Sequence, residues 1–141
     1  MRILGIETSC DETAAAVVED GAHLLSNVVA TSLDLHVVYG GVVPEIAARS
    51  HIEVIIPVIE EALQKAQTEW SEIDAIAVTK GPGLGGSLLI GVMTARTLAI
   101  AKNKLLIGVN HVMAHPFAAF ITKSDVDGFS LPAEAPEFPV L

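Results

Sequence analysis

Arg2-Ile3-Leu4-Gly5-Ile6-Glu7-Thr8, then Ser9-Cys10-Asp11-Glu12, then Thr13-Ala14-Ala15-Ala16-Val17-Val18-Glu19 is the stretch that decides the fold. The first segment is apolar almost throughout and reads as a buried strand. The last, rich in Ala and Val, reads as its neighbour. The polar residues between them make a tight turn. Asp20-Gly21 is a strong hairpin signal, because both residue types tolerate the positive φ that a two-residue turn demands. His23 to Thr31 then returns as a third strand.

Downstream, Tyr39-Gly40-Gly41 makes a loop before Pro44, which suits the first turn of a helix. From Val43 to Gln67, Ile46, Ala47, Ile52, Ile55, Ile56, Ile59, Ala62, Leu63 and Ala66 keep helical spacing. Pro57 lies inside and predicts a kink or a division into two helices. Ala75 to Thr79 is a short buried strand, and Gly81 to Gly86 is a glycine-rich loop. Ser87 is placed to cap a helix running to about Lys102. That helix is apolar nearly all round, which predicts burial on more than one side. Leu105 to Val109 is a further strand, and residues 111 to 121 read as a last helix. The order is β-β-β-α-β-α-β-α. Crossovers of this length join parallel neighbours with right-handed connections. The expected fold is an α/β domain over residues 1–123: a ribonuclease-H-like mixed sheet with helices. Lys123 to Pro136 reads as a linker, and Phe138 to Leu141 begins like a strand. Residues 124–141 are therefore expected to be linker and the start of a truncated second half.

The 141 residues suit one domain; 51% are hydrophobic and 18% charged, which excludes a disordered chain. Aromatics are only 4%, so the core must be aliphatic. No apolar run is long enough to span a bilayer, and the N-terminus lacks the charged and apolar regions of a signal peptide. The single cysteine, Cys10, cannot form an internal disulfide, which fits a reducing cytoplasm. A net charge of −9 opposes nucleic-acid binding by this segment alone, since phosphate contacts need Lys and Arg. The mean hydropathy of +0.54 predicts apolar surface covered by another domain or chain.

Asn110-His111-Val112-Met113-Ala114-His115 is the most informative segment chemically. In a helix its two imidazoles lie one turn apart on one face, a spacing that suits two ligands of one divalent metal. It suits surface or capping histidines equally well. The Thr8–Thr13 turn gathers hydroxyls, backbone N–H groups, Asp11 and Glu12, and such turns can bind phosphate or a metal-bound nucleotide. From pattern alone a plain polar hairpin is the preferred reading. Cys10 reads as a structural thiol rather than a nucleophile. Gly81-Pro82-Gly83-Leu84-Gly85-Gly86-Ser87 lacks the ending of a P-loop and does not fit G-x-G-x-x-G. Close packing of the helix that follows explains it as well as ligand binding does. His23, His36 and His51 read as ordinary polar residues.

Taken together, Met1 to Thr13, Tyr39-Gly40-Gly41-Val42-Val43-Pro44-Glu45, Gly81-Pro82-Gly83-Leu84 and the paired histidines resemble one family in order and spacing. The chain is similar to the N-terminal half of the bacterial tRNA threonylcarbamoyladenosine transferases, once labelled glycoprotease or O-sialoglycoprotein endopeptidase. The resemblance covers essentially the whole chain. It implies one half of an actin-like and hexokinase-like ATPase fold, with the active site in a cleft between two halves. It implies transfer of a threonylcarbamoyl group from threonylcarbamoyl-adenylate to the adenosine beside the tRNA anticodon. His111 and His115 match the family's metal-ligand histidines, for one iron or zinc ion, and Asp11 and Glu12 match its catalytic acidic pair.

Partners implied by the resemblance are tRNA, a non-catalytic paralogue acting as scaffold, and an ATPase subunit. A homodimer through helices 43–67 and 87–102 is a further expectation. Two departures stand out. The family often carries Glu at the position of Met113, and its Ser-Gly-Gly-His phosphate loop and later metal-binding aspartate are absent here. The fragment alone is therefore expected to be inactive. The alternative is the scaffold paralogue itself, although that paralogue lacks the paired histidines. A metallopeptidase ranks last, because His-Glu-x-x-His is missing.

Overall fold

The computed structural model describes residues 1–128 and 131–136. The strand expected at residues 138–141 lies outside the described residues. Among the described residues six strands make one sheet: β1 (Arg2–Glu7), β2 (Glu12–Glu19), β3 (His23–Thr31), β4 (Ala75–Gly81), β5 (Leu105–Asn110) and β6 (Lys123–Ser124). Their order is β5-β4-β1-β2-β3-β6. β1, β2 and β3 form the expected antiparallel meander, while β4 pairs parallel with β1 and β5 parallel with β4. Asp20 and Gly21 both take positive φ, 51° and 74°, as the hairpin between β2 and β3 requires. This is the ribonuclease-H-like mixed sheet.

Among the described residues four α-helices accompany it: α1 (Leu33–His36), α2 (Pro44–Lys65), α3 (Gly85–Lys102) and α4 (His111–Phe117). α2 packs on β2 and β3, and α3 packs on β4 and α2. Strand alternation explains the core. Leu4 and Ile6 of β1 pair with Val17 and Ala15 of β2 and with Ile76 and Val78 of β4, so all six point to the helical face. There they meet Ile55, Val58, Ile59, Ala62 and Leu63 of α2 and Ala95 and Ala99 of α3.

Several expectations need correction. α2 is a single helix through Pro57. Pro57 is exposed between buried Ile55 and Val58, so water can take up the freed carbonyl while core contacts hold both turns in line. α3 starts at Gly85 with Leu84 as its cap, not at Ser87. Ser87 is buried instead against the β1–β2 turn. α3 is not buried on several sides among the described residues: Leu89, Met93 and Ile100 are 57%, 50% and 74% exposed. α4 ends at Phe117 and a tighter turn, Ala118–Phe120, replaces its expected continuation. Pro116 contributes no N–H to that last stretch. β6 straddles residues 123 and 124, pairing Lys123 and Ser124 with His23 and Leu24. At the opposite edge β5 exposes Leu105 and Ile107, and the aliphatic stem of Lys80 lies over Gly108.

Candidate metal centre

Parallel strands deliver their C-terminal ends to one edge of the sheet, and the candidate site is built there. Ile6 pairs with Val78, so the next residues, Glu7 and Thr79, stand side by side; Thr79 in turn pairs with Val109 of β5. Asn110 ends β5 and caps α4, its Oδ1 accepting from the Met113 amide at 3.1 Å. That cap fixes His111 as the first residue of the helix, and His115 follows one turn on.

The two histidines converge as their spacing predicts. Nε2 of His111 and Nε2 of His115 are 3.1 Å apart, with rings edge to face. On its other side, Nδ1 of His111 lies 3.2 Å from the Ser9 hydroxyl and 3.4 Å from Glu7 Oε2. Glu7 also accepts from the Ser9 amide and the Thr79 hydroxyl. Burial works against its charge. Hydrogen bonds from the Ser9 hydroxyl, Thr79, the Ser9 amide and His111 outweigh burial and hold the Glu7 pKa below the ordinary carboxylate value.

The turn after Glu7 is clamped by its carbonyls. The Leu84 amide donates to Ser9 O at 2.7 Å. The Ser87 hydroxyl and His51 Nε2 reach Cys10 O, each at 3.1 Å. The Ser32 amide and hydroxyl donate to Asp11 O at 3.2 and 2.7 Å. Gly83 is required for this approach, because a Cβ there would sit 2.6 Å from Ser9 O. The glycine-rich loop is thus a packing device against the turn. Thr8, fully buried, donates to Ser87 O at 2.8 Å and meets Gly91 of α3.

His36 and His51 are not ordinary polar residues, since they are 2% and 0% exposed. His51 Nδ1 lies 2.6 Å from the Thr13 hydroxyl, and with the Cys10 contact both its nitrogens are used. His36 Nδ1 accepts from the Val43 amide at 3.2 Å, and its Nε2 meets the Ser32 hydroxyl. His51 had one sequence signal: it lies on the apolar stripe with Ala47 and Ile55. Glu7 had a weaker one, a carboxylate ending an apolar strand.

Asp11 and Glu12 lie beyond the clamped carbonyls. Glu12 opens β2 opposite Thr31 and is exposed. The carboxylate hydrogen-bonded to the histidine pair is Glu7, not Asp11 or Glu12. Cys10 is exposed, so the structural part is played by its carbonyl rather than its thiol. Partial desolvation at the turn, then hydrogen bonding to Asp11, raise its thiol pKa, which does not suit a nucleophile. Among the described residues no group of three or more His, Cys, Asp or Glu is arranged to hold a metal. None of their helices is long and apolar enough to cross a membrane.

A family model described as TsaD, tRNA N6-adenosine threonylcarbamoyltransferase, matches residues 23–134. Curated relatives carry the same description. The one from Protochlamydia amoebophila is 57% identical over 122 residues, covering 86% of this chain and 36% of the relative. That from Dehalococcoides mccartyi is 50% identical over 141 residues, covering 100% of this chain and 40% of the relative. The chain thus spans well under half the length of these relatives. Among solved structures, YeaZ from Pseudomonas aeruginosa is similar in fold, with a TM-score of 0.59 and 22% identity over 77% of this chain and 42% of that one.

Proposed function

We infer function from the premise that this chain belongs to the TsaD family, tRNA N6-adenosine threonylcarbamoyltransferase. Within that family it supplies the histidine-bearing half of a site that transfers a threonylcarbamoyl group from threonylcarbamoyl-adenylate to the N6 amine of adenosine in tRNA. The observation that carries this reading is the convergence of His111 and His115 at 3.1 Å, backed by Glu7 and Ser9, in a chain half-identical to such transferases.

The residues fit one divalent metal. Zinc–nitrogen bonds of about 2.0–2.1 Å at tetrahedral angles place two ligand nitrogens roughly 3.3 Å apart. The observed 3.1 Å separation of the two Nε2 atoms is close to that. His111 and His115 would hold the ion, iron or zinc, through Nε2. When bound it would supply Lewis-acid polarisation of the donor carbonyl. The remaining ligands would come from outside the described residues or from water.

The chain's own groups do the rest. Asp11 and Glu12, at the mouth of the clamped turn, are the acidic pair that receives the proton leaving the attacking amine. The Ser9–Cys10–Asp11 carbonyls are all occupied internally, so the turn holds its shape as substrate arrives. The net charge of −9 leaves tRNA contact to basic surface on other segments or partners. A scaffold paralogue and an ATPase subunit are the partners of this reading. The apolar outer residues Ile52 and Ile56 of α2 and Leu89 and Met93 of α3 form the surface for a scaffold or a second copy. A purely scaffolding role would leave the histidine centre without a task.

A chimera tests the assignment: residues 1–128 of this chain replace the matching part of the Protochlamydia amoebophila relative. With the donor-forming synthase and partners present, radiolabelled threonine should enter tRNA. His111→Ala or His115→Ala in the chimera should lower the rate at least about a hundredfold, the scale of losing a positioned electrophile. A folded but inactive chimera, or full activity in both variants, would overturn the reading.

A further inference from the structure

We propose that Glu7, seconded by Ser9, is the positioning residue that sets the tautomer of His111, placing its proton on Nδ1 and presenting a bare Nε2 lone pair beside His115. The inference rests on the metal reading above but is decided by a measurement that needs no metal.

Every donor around Glu7 has a fixed direction. The Ser9 amide can only donate, and it donates to Oε1. The Thr79 hydroxyl donates to Oε2, the same oxygen that faces His111 Nδ1 at 3.4 Å. An oxygen whose lone pairs take up donors demands a proton on the nitrogen facing it. The Ser9 hydroxyl, 3.2 Å from the same nitrogen, then accepts a second branch of that N–H. The acceptor-only Glu7 oxygen thus favours the proton on Nδ1 of His111. Nε2 is left without a proton, and it is the atom that meets His115. A carboxylate behind a ligating histidine orients the ring and fixes its tautomer.

The backbone makes Glu7 hard to replace. It ends β1 in register with Thr79, and its next carbonyl neighbours are pinned by Leu84, Ser87, His51 and Ser32. The carboxylate therefore reaches His111 from a rigid strand end. Gln at this position has one acceptor oxygen and one NH2. If its oxygen faces Thr79 and His111, its NH2 opposes the Ser9 amide, donor to donor. If it flips to satisfy Ser9, NH2 faces His111 and forces the proton to Nε2, where the metal must displace it.

Long-range 15N–1H correlation of the imidazoles in the metal-free chain reads the tautomer directly. Wild type should show His111 protonated at Nδ1; Glu7→Gln should move the proton, wholly or in part, to Nε2. Zinc affinity by isothermal titration should fall about 10–100-fold in Glu7→Gln and less in Glu7→Asp, which keeps both acceptors at shorter reach. Circular dichroism establishes that each variant is folded. His111→Ala is the control for the metal reading. If His111→Ala binds zinc as wild type does, that reading fails, and the tautomer still decides the proposal. Should Glu7→Gln not fold, the wild-type spectrum decides alone. A wild-type His111 carrying its proton on Nε2, or a Glu7→Gln protein with unchanged tautomer and affinity, would overturn the proposal.

Discussion

Gly91→Ala is an informative perturbation because two large effects oppose each other there. In a helix, Ala is favoured over Gly by about 1 kcal/mol. Gly91 lies in α3, so propensity alone predicts a stabilised protein. Against this, the new methyl would overlap the Thr8 Oγ1 and sit 3.3 Å from Thr8 Cβ and Cγ2. Thr8 is fully buried and cannot swing into solvent. Overpacking a core contact costs about 1–3 kcal/mol. Displacing the Thr8 hydroxyl also breaks its bond to Ser87 O, with about 1 kcal/mol more at stake. The packing terms outweigh propensity, leaving a net loss of about 1–3 kcal/mol. For a domain of this size that lowers Tm by roughly 4–10 °C. Urea melts of Gly91→Ala, Thr8→Ala and the double variant give the answer. Thr8→Ala removes the overlapping atoms, so the double variant should be more stable than the sum of the singles by about 1 kcal/mol or more. A Gly91→Ala protein as stable as wild type, or strict additivity, would refute the close approach of α3 to the end of β1.

Two further outcomes are expected. His51→Phe keeps the ring volume but strands the Thr13 hydroxyl and takes one donor away from Cys10 O; the urea midpoint should fall by the equivalent of about 2–4 kcal/mol, and an unchanged midpoint would show that the buried imidazole is not a fastener. Partial desolvation and Asp11 raise the Cys10 thiol pKa, so less thiolate is present at pH 8 than in a free cysteine. Its reaction with a disulfide reagent should be slow there and faster in Asp11→Asn, with equal rates counting against the Asp11 contact.

The sheet was largely legible in the sequence, because its signals are local. The apolar run ending at Glu7, the Asp20-Gly21 turn and the Ala- and Val-rich run of β2 each name their own element. The convergence of His111 and His115 was legible for the same reason, since i,i+4 spacing is a property of one helix. What stayed hidden depends on register between distant segments. Glu7 meets His111 across more than a hundred residues, only because β1, β4 and β5 align their ends. His36 and His51 read as ordinary polar residues, as nothing local says that turn carbonyls need donors. β6 is too short, at two residues, to show any period. Pro57 misled for a complementary reason: a local rule for helix breaking gave way to tertiary contacts on both flanking turns.

The bare edge at β5 bears on how the chain behaves in a crowd of its own kind. Leu105-Leu106-Ile107-Gly108-Val109 is uncharged, free of proline and rich in strand-forming side chains. As the outermost strand among the described residues it offers backbone groups to any extended segment that drifts past. The charges that discourage such zippering flank it rather than interrupt it: Lys104 precedes the strand, and Lys80 drapes its stem across Gly108.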